Sequence, residues 1–161
     1  KINTGGSSVG VFLADKSNIY ETINKAFELD DTLLVEIYKK NIRELSVGII
    51  RKNNDFYISD IGEYVKAKDS NFFSFEKKYK HTGCIIHKKN LFHHMVDMAL
   101  VLFKKLNLKS YVRIDFFLDE QNNIFFNEIN SLPGLTETSL FSQMWKDSFS
   151  YFELLNFILN C

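Results

Sequence analysis

Apolar residues recur along the first half of the chain at two different spacings, and these spacings predict its secondary structure. A short apolar run over residues 9–14 predicts a strand. Apolar positions at helical spacing predict a helix over 17–29, with Ser17 as its N-cap. Three β-rich runs separated by polar turns then predict a meander, at 33–38, 44–51 and 56–61.

The second half begins with the least regular part of the chain, residues 66–88. A connection of that length is usually functional or mobile, so we expect it to be disordered without a ligand. Helical spacing of apolar residues then predicts a helix over 90–106. Two strands flank the polar turn "DEQNN", and two short helices are predicted at 139–146 and 150–160.

The strand predicted over 111–118 carries different chemistry on its two faces. Period-2 alternation gives one apolar face, formed by Val112, Ile114, Phe116 and Leu118. Arg113 and Asp115 project together from the other face. In the following strand, alternation places Ile124, Phe126, Glu128 and Asn130 on one face. Asn127 then falls among apolar residues, and a β-bulge near Glu128 would explain this conflict.

A tight hairpin turn centred on residues 121–122 sets Asp115 opposite Glu128. The same register sets Arg113 opposite Asn130. The Cβ atoms of opposed residues lie about 5 Å apart, and like charges there repel each other, so a cation is expected between the two carboxylates. That cation is either Arg113 or a divalent metal such as Mg²⁺, which prefers carboxylate and amide oxygens. A solvent-facing hairpin whose acids pair with nearby lysines is the alternative.

Two loops offer backbone N–H groups to an anion. "TGGSSVG" at 4–10 can wrap phosphate oxygens, with Lys1 adding a positive charge, although a plain turn explains the loop equally well. "SLPGLTETSL" at 131–140 places a Pro-Gly turn before a helix that begins near Ser139. A helix N-terminus of this kind can hold a carboxylate, and a simple N-cap is the alternative.

Composition limits the kinds of binding partner and the cellular compartment that we expect for this protein. Lys plus Arg equals Asp plus Glu, at 20 each, so no overall charge attracts nucleic acid or an anionic membrane. Apolar runs are too short to span a bilayer and no signal pattern is present, which predicts a cytoplasmic protein. Cys84 and Cys161 do not suggest a disulfide framework. A zinc site at "HTGCIIH" is disfavoured, because its spacing matches no standard finger.

Four stretches together resemble D-alanine–D-alanine ligases, members of the ATP-grasp superfamily. They are "KINTGGSSVG", "VEIYKKNIRE", "FFSFEKKY" and "RIDFFLDEQNNIFFNEINSLPGLTETSL". The resemblance covers residues 1–161 and implies an α+β ATP-grasp fold, with antiparallel sheets and flanking helices, as the C-terminal portion of a larger enzyme. It implies a partial small lobe at 1–65, a mobile loop at 66–88 and a large lobe at 89–161.

The resemblance also implies the reaction, in which ATP and Mg²⁺ support ligation of two D-alanines through an acyl phosphate for peptidoglycan precursor synthesis. Two Mg²⁺ ions are expected, with Mn²⁺ as a substitute. The full-length enzyme is expected to be a homodimer, and the fragment alone inactive. Another ATP-grasp carboxylate–amine ligase, or a non-catalytic nucleotide-binding module, is the alternative.

Site residues follow from the resemblance, position by position. ATP contacts are expected from Lys1, Ser8, Glu36, Glu44, Phe72 and Lys78. Metal ligands are expected at Asp115, Glu128 and Asn130, and contacts to the acceptor's carboxylate at Ser139 and Leu140. Arg113 and the Gly134 N–H would stabilise the tetrahedral oxyanion, while Ser7 and Tyr79 would latch the mobile loop.

Overall fold

The computed structural model describes residues 1–5, 9–65 and 84–161. These residues fall into two compact units, one formed by 1–40 and the other by 41–65 together with 84–161. Residues 43–64 pair into the sheet of the larger unit. The lobes at 1–65, 66–88 and 89–161 stay a prediction.

The first unit contains helix α1, Ile19–Phe27, which confirms the helix predicted over 17–29. Its N-cap is Asn18, not Ser17, and the cap side chain makes no capping hydrogen bond. Residues 9–14 do not form the predicted strand. In the run 33–38, only Leu33 pairs as β-structure among the described residues, through a bridge to Ile2. Both predictions fail because a strand needs a paired neighbour, which local alternation does not provide.

The second unit is built on one antiparallel sheet of five strands in the order β3-β2-β1-β4-β5. Their bounds are β1 Arg43–Lys52, β2 Asp55–Tyr64, β3 Cys84–His87, β4 Tyr111–Leu118 and β5 Ile124–Asn130. The strands predicted at 44–51, 56–61 and 111–118 are confirmed. Strand β3 corrects one expectation, since its four residues end the segment that was predicted to be irregular.

Three further helices pack on this sheet. They are α2 His93–Lys105, which follows a 3₁₀ turn at Lys89–Phe92, then α3 Leu140–Gln143 and α4 Tyr151–Leu159. Helix α3 has four residues, so the predicted span 139–146 is too long. Helix α4 begins at a capping box in which Ser150 and Glu153 each bond the other's backbone N–H.

Each face of the sheet has its own hydrophobic core. Helix α2 covers one face through Met95, Ala99 and Phe103, which pack on the apolar faces of β1 and β4. Helices α3 and α4 pack beside Ile50 on the other face, together with the two residues that directly follow α3. The buried residues of this core are Leu140, Phe141, Met144, Trp145, Leu154 and Ile158. The remainder of that second face carries the polar side chains of the candidate site.

An ionic cluster on β1, β2 and β3 links stability to pH. The Arg43 guanidinium donates two hydrogen bonds of 2.7 Å to Glu63, and His87 Nε2 lies 2.6 Å from the same carboxylate. The Arg43 bonds lower the pKa of Glu63; partial burial works in the opposite direction, and the His87 bond reinforces the lowering.

Substitution Glu63→Gln is expected to lower the free energy of unfolding by about 1 kcal/mol at pH 7. Because the folded-state pKa of Glu63 is lowered, its contribution is complete above the ordinary glutamate pKa and is lost as pH falls through the folded value. Urea unfolding at several pH values measures this. An exposed acid, Glu28, provides the control as Glu28→Gln; equal pH dependence in both variants would refute the assignment.

Candidate functional site

One row of residues crosses all five strands and brings the predicted acids together. From β3 to β5 the row is Ile86, Gly62, Ser46, Asp115 and Glu128, each opposite the next. The predicted pairing of Asp115 with Glu128 is confirmed. The row is apolar at β3 and β2, where helix α3 packs, and acidic at β4 and β5. The polar site therefore begins next to the part of the sheet that helix α3 covers.

A β-bulge shapes the acidic end of this row. Asp115 pairs with Glu128 but Phe116 pairs with Phe126, so Asn127 is the extra residue, as predicted. The bulge reverses the alternation in β5. Ile124 and Phe126 therefore lie on the face of Phe116, and the prediction that they share a face with Glu128 is wrong.

The Asp115 carboxylate lies at the centre of a hydrogen-bond network. Arg113 donates to both of its oxygens at 2.8 Å, from Nε to Oδ1 and from Nη2 to Oδ2. Ser46 Oγ donates to Oδ1 at 2.7 Å, and Asn130 Nδ2 donates to Oδ2 at 2.8 Å. A carboxylate offers about four lone-pair sites, so these bonds satisfy it fully. Arg113 is therefore the neighbouring cation that the paired acids require.

Arg113 is held as a permanent cation. Burial opposes its charge, but hydrogen bonds and the negative charge of Asp115 outweigh burial and raise the pKa of Arg113 above its ordinary value. Burial raises the pKa of the nearby Tyr64 hydroxyl, because burial disfavours the charged form of either group. The site thus combines a charged guanidinium with a neutral phenol.

The oxygen donors here fit a hard divalent cation. Within the described residues, the exposed Glu128 carboxylate accepts one long hydrogen bond, 3.4 Å from Asn130 Nδ2. Asp115 is fully bonded, so a metal would have to replace one of its donors. Rotation of the Asn130 amide does this, since it withdraws the N–H and presents an oxygen instead. Asp115, Glu128 and Asn130 would then supply three oxygen ligands of the kind that Mg²⁺ prefers.

The loop before helix α3 is organised by Ser139. Its Oγ lies 2.6 Å from the Gly134 carbonyl oxygen and 2.7 Å from that of Thr136. Ser139 is the N-cap residue of α3, but its side chain does not cap the helix. The Leu140 side chain is buried, so any ligand contact there falls to its backbone N–H. The Gly134 N–H donates to no acceptor in the described part of the chain.

Gly62 allows helix α3 to pack directly on the sheet. A Cβ at this position would lie 2.7 Å from Leu140 Cδ1 and 2.9 Å from Met144 Cγ. Gly62→Val is expected to cost about 2 kcal/mol of stability by overpacking and to displace Leu140. Urea unfolding measures this loss. A variant as stable as the wild-type protein would contradict this packing role.

The candidate residues of the first unit lie at its short β-bridge. Lys1 Nζ forms an ion pair of 2.8 Å with Glu36. Two glycines of the loop approach the Ile2 side chain closely. A Cβ at Gly5 would lie 2.5 Å from Ile2 Cγ1, and one at Gly10, where φ is +70°, 2.6 Å from Ile2 Cδ1. Packing on Ile2 and a positive φ therefore explain these glycines structurally.

Several predictions stay untested. The expected contacts of Ser7, Ser8, Phe72, Lys78 and Tyr79 lie outside the described residues, as does the loop expectation for 66–83. Glu44 lies in β1 opposite Phe117 and Tyr64, two residues before Ser46.

Ser46 was missed, although its alternation with buried Leu45 and Val47 was a usable signal. A serine between two apolar strand residues lies on the opposite face of the strand from them. The same alternation that placed Arg113 and Asp115 would have placed Ser46 on their face.

Residues 81–83 of the disfavoured zinc motif lie outside the described residues. His87 bonds Glu63, and the described residues contain no group of three or more His, Cys, Asp or Glu side chains suited to a metal. Cys84 and Cys161 are both free thiols. Among the helices described above, none has the length and apolar character that a membrane crossing requires.

Comparison with known proteins identifies the family. The family model described as "D-ala D-ala ligase C-terminus" matches residues 1–160. A curated D-alanine–D-alanine ligase of Vibrio parahaemolyticus is 38% identical over 151 residues, covering 89% of this chain and 45% of that protein. The chain thus spans about half the length of such relatives.

Solved structures agree with this match. The D-alanyl-alanine synthetase A of Vibrio cholerae superposes with a TM-score of 0.74 at 30% identity, covering 92% of this chain and 46% of that one. A Bacillus anthracis D-alanine–D-alanine ligase complexed with ATP superposes with a TM-score of 0.69 at 22% identity, over 91% and 45% of the two chains. The α+β ATP-grasp prediction is confirmed, and the chain belongs to the D-alanine–D-alanine ligase family, of which it represents the C-terminal part.

Proposed function

We propose that the full-length protein joins two D-alanines to D-alanyl-D-alanine, for peptidoglycan precursor synthesis, at the expense of ATP. The observation that carries the proposal is the opposition of Asp115 and Glu128 beside the partly buried Arg113 and Asn130. Two acids, an amide and a fixed guanidinium suit a reaction in which a carboxylate is phosphorylated and then attacked by an amine.

In this proposal, the metal site consists of Asp115, Glu128 and Asn130. They would hold two Mg²⁺ ions, with Mn²⁺ as a substitute, and phosphate oxygens and water would complete the ligand shells. When bound, the metal neutralises negative charge on the transferring phosphoryl group. Arg113 holds the Asp115 carboxylate in place and presents a permanent positive charge to the developing oxyanion.

The proposal also includes contacts to ATP. We assign phosphate contacts to Lys1, Ser8 and Lys78, base contacts to Glu36 and Phe72, and ribose hydroxyls to Glu44. The ion pair of Lys1 with Glu36 shows that the first of these cations already lies beside an acid, which a phosphate would have to replace. Support for nucleotide use comes from the ATP complex of the Bacillus anthracis relative.

The acceptor D-alanine would lie at the loop before helix α3. Its carboxylate would bind the Leu140 N–H and the Ser139 hydroxyl, which would have to release a backbone carbonyl. The Gly134 N–H would donate to the oxyanion of the tetrahedral intermediate. Ser7 and Tyr79 would latch the loop at 66–88 and exclude water from the acyl phosphate.

We further propose a cytoplasmic homodimer that acts on small molecules only, with no nucleic-acid or membrane partner. The balanced charge of 20 basic and 20 acidic residues supports small-molecule substrates over polyanions. We expect the chain of 161 residues alone to be inactive, because it spans 45% of the length of the Vibrio parahaemolyticus relative.

The test is an assay of the full-length protein with ATP and Mg²⁺, with products identified by mass. D-alanine is expected to yield phosphate and D-alanyl-D-alanine, while L-alanine yields neither. D-lactate offered with D-alanine tests whether the acceptor must be an amine. ATP binding without consumption of D-alanine would overturn the proposal and favour a different carboxylate–amine ligation or a binding-only role.

A further inference from the structure

A buried hydroxyl on the floor of the site has no assigned role. Ser46 lies in β1, is 2% exposed, and points its hydroxyl across the β1–β4 ladder to Asp115. Its Oγ donates to Asp115 Oδ1 at 2.7 Å. A buried serine must use its hydroxyl, and here the acceptor is a side chain of the candidate metal site, not a backbone carbonyl.

The four bonds on Asp115 are divided unequally between its two oxygens. Oδ1 accepts from Ser46 Oγ and Arg113 Nε, both of which are held within the sheet. Oδ2 accepts from Arg113 Nη2 and from Asn130 Nδ2, whose amide can rotate. Oδ2 is therefore the oxygen that can exchange a donor for a metal, and Ser46 holds the opposite oxygen in place.

We propose that Ser46 is a positioning residue that fixes the rotation of the Asp115 carboxylate, so that Oδ2 faces Asn130 and Glu128. This inference depends on the proposed function, since it concerns the same metal site. Arg113 alone does not fix the carboxylate against sliding within its fork. A second donor on Oδ1, from a different strand, removes that freedom and prepares Oδ2 as a ligand.

The sheet contains a matched serine with a purely structural role. Ser59 in β2 is 0% exposed. Its hydroxyl accepts from the Gly48 N–H at 2.9 Å and donates to the Asp60 carbonyl oxygen at 2.6 Å. Both partners are backbone atoms, and neither belongs to the Asp115 network. Loss of this hydroxyl therefore costs stability without touching the carboxylate.

The experiment measures Mn²⁺ binding to the full-length protein with ADP, by electron paramagnetic resonance, alongside thermal unfolding in EDTA. Ser46→Ala is expected to weaken Mn²⁺ binding about tenfold, which is the effect of losing one hydrogen bond to a charged group. Ser46→Thr keeps the hydroxyl and should restore binding. Ser59→Ala should lower the unfolding temperature and leave Mn²⁺ binding at the wild-type level.

Kinetics supply a second readout. In the ligation assay, Ser46→Ala should raise the metal concentration required for half-maximal rate, with kcat at saturating metal changed less than threefold. Unchanged Mn²⁺ binding in Ser46→Ala, or equal weakening in Ser46→Ala and Ser59→Ala, would overturn the positioning role. If either result is obtained while the wild-type protein ligates D-alanine, the positioning role fails and the proposed function stands. A wild-type protein that neither binds Mn²⁺ with ADP nor ligates would refute both.

Discussion

Replacement of Arg113 by methionine is expected to reduce ligation at least a thousandfold and to destabilise the second unit by about 3–5 kcal/mol. The stability loss arises because Asp115, with a side chain only 13% exposed, would lose its cation while remaining buried. The rate loss combines a misplaced carboxylate with the missing positive charge at the oxyanion. Urea unfolding and steady-state rates of the full-length protein measure the two effects.

Arg43 provides the matched control, because it also forms a forked ion pair on the sheet. Its partner is Glu63 and its side chain is 44% exposed. Arg43→Met should cost about 1 kcal/mol and leave the ligation rate within a few fold of wild type. Arg113→Lys should recover part of the stability but little of the rate, since an ammonium cannot bond both carboxylate oxygens in one plane. Equal losses in the Arg43 and Arg113 variants would show a general packing effect.

Glu128→Gln is expected to lower the ligation rate about a thousandfold while changing the free energy of unfolding by less than about 0.5 kcal/mol. Glu128 is exposed, and its single bond in the described residues is 3.4 Å long, so little stability depends on it. The amide keeps the shape of the side chain but removes a negative charge from the metal site. The rate and the Mg²⁺ concentration required for half-maximal activity test this prediction.

The control for Glu128 lies in the turn of the same hairpin. Glu120 is exposed and bonds Asn41 Nδ2 at 3.2 Å, away from Asp115. Glu120→Gln should retain wild-type activity. A Glu128→Gln variant that stays active at low Mg²⁺ would remove Glu128 from the metal site and return the hairpin acids to a surface role.

The elements around the site were predictable wherever one face of a strand is buried. Alternation in β4 separates Arg113 and Asp115 from four apolar residues, and burial follows the same period. Asn127 broke the pattern in β5, and that conflict alone indicated the bulge. A violated alternation was therefore as informative as a regular one.

The features that the sequence did not predict share one physical cause, because they depend on contacts between residues distant in sequence. The runs at 9–14 and 33–38 alternate like strands but lack a neighbour that pairs with them along their length among the described residues. Ser46 acquires its importance only through β4, where Asp115 lies opposite. The orientation of the Ser139 hydroxyl depends on the path of the loop from Gly134, which no period encodes.

The bulge at Asn127 also has a consequence for how this hairpin tolerates length change. If Asn127 is skipped, β5 alternates regularly, with Ile124, Phe126 and Ile129 on the face of Phe116 and Phe125, Glu128 and Asn130 on the face of Asp115. A shorter chain could therefore keep every cross-strand pair, including that of Asp115 with Glu128. The extra residue is not needed for pairing; it bends and twists the strand just before Glu128. Insertion or deletion at position 127 thus offers a way to change the direction of the Glu128 side chain while Asp115 stays its cross-strand partner.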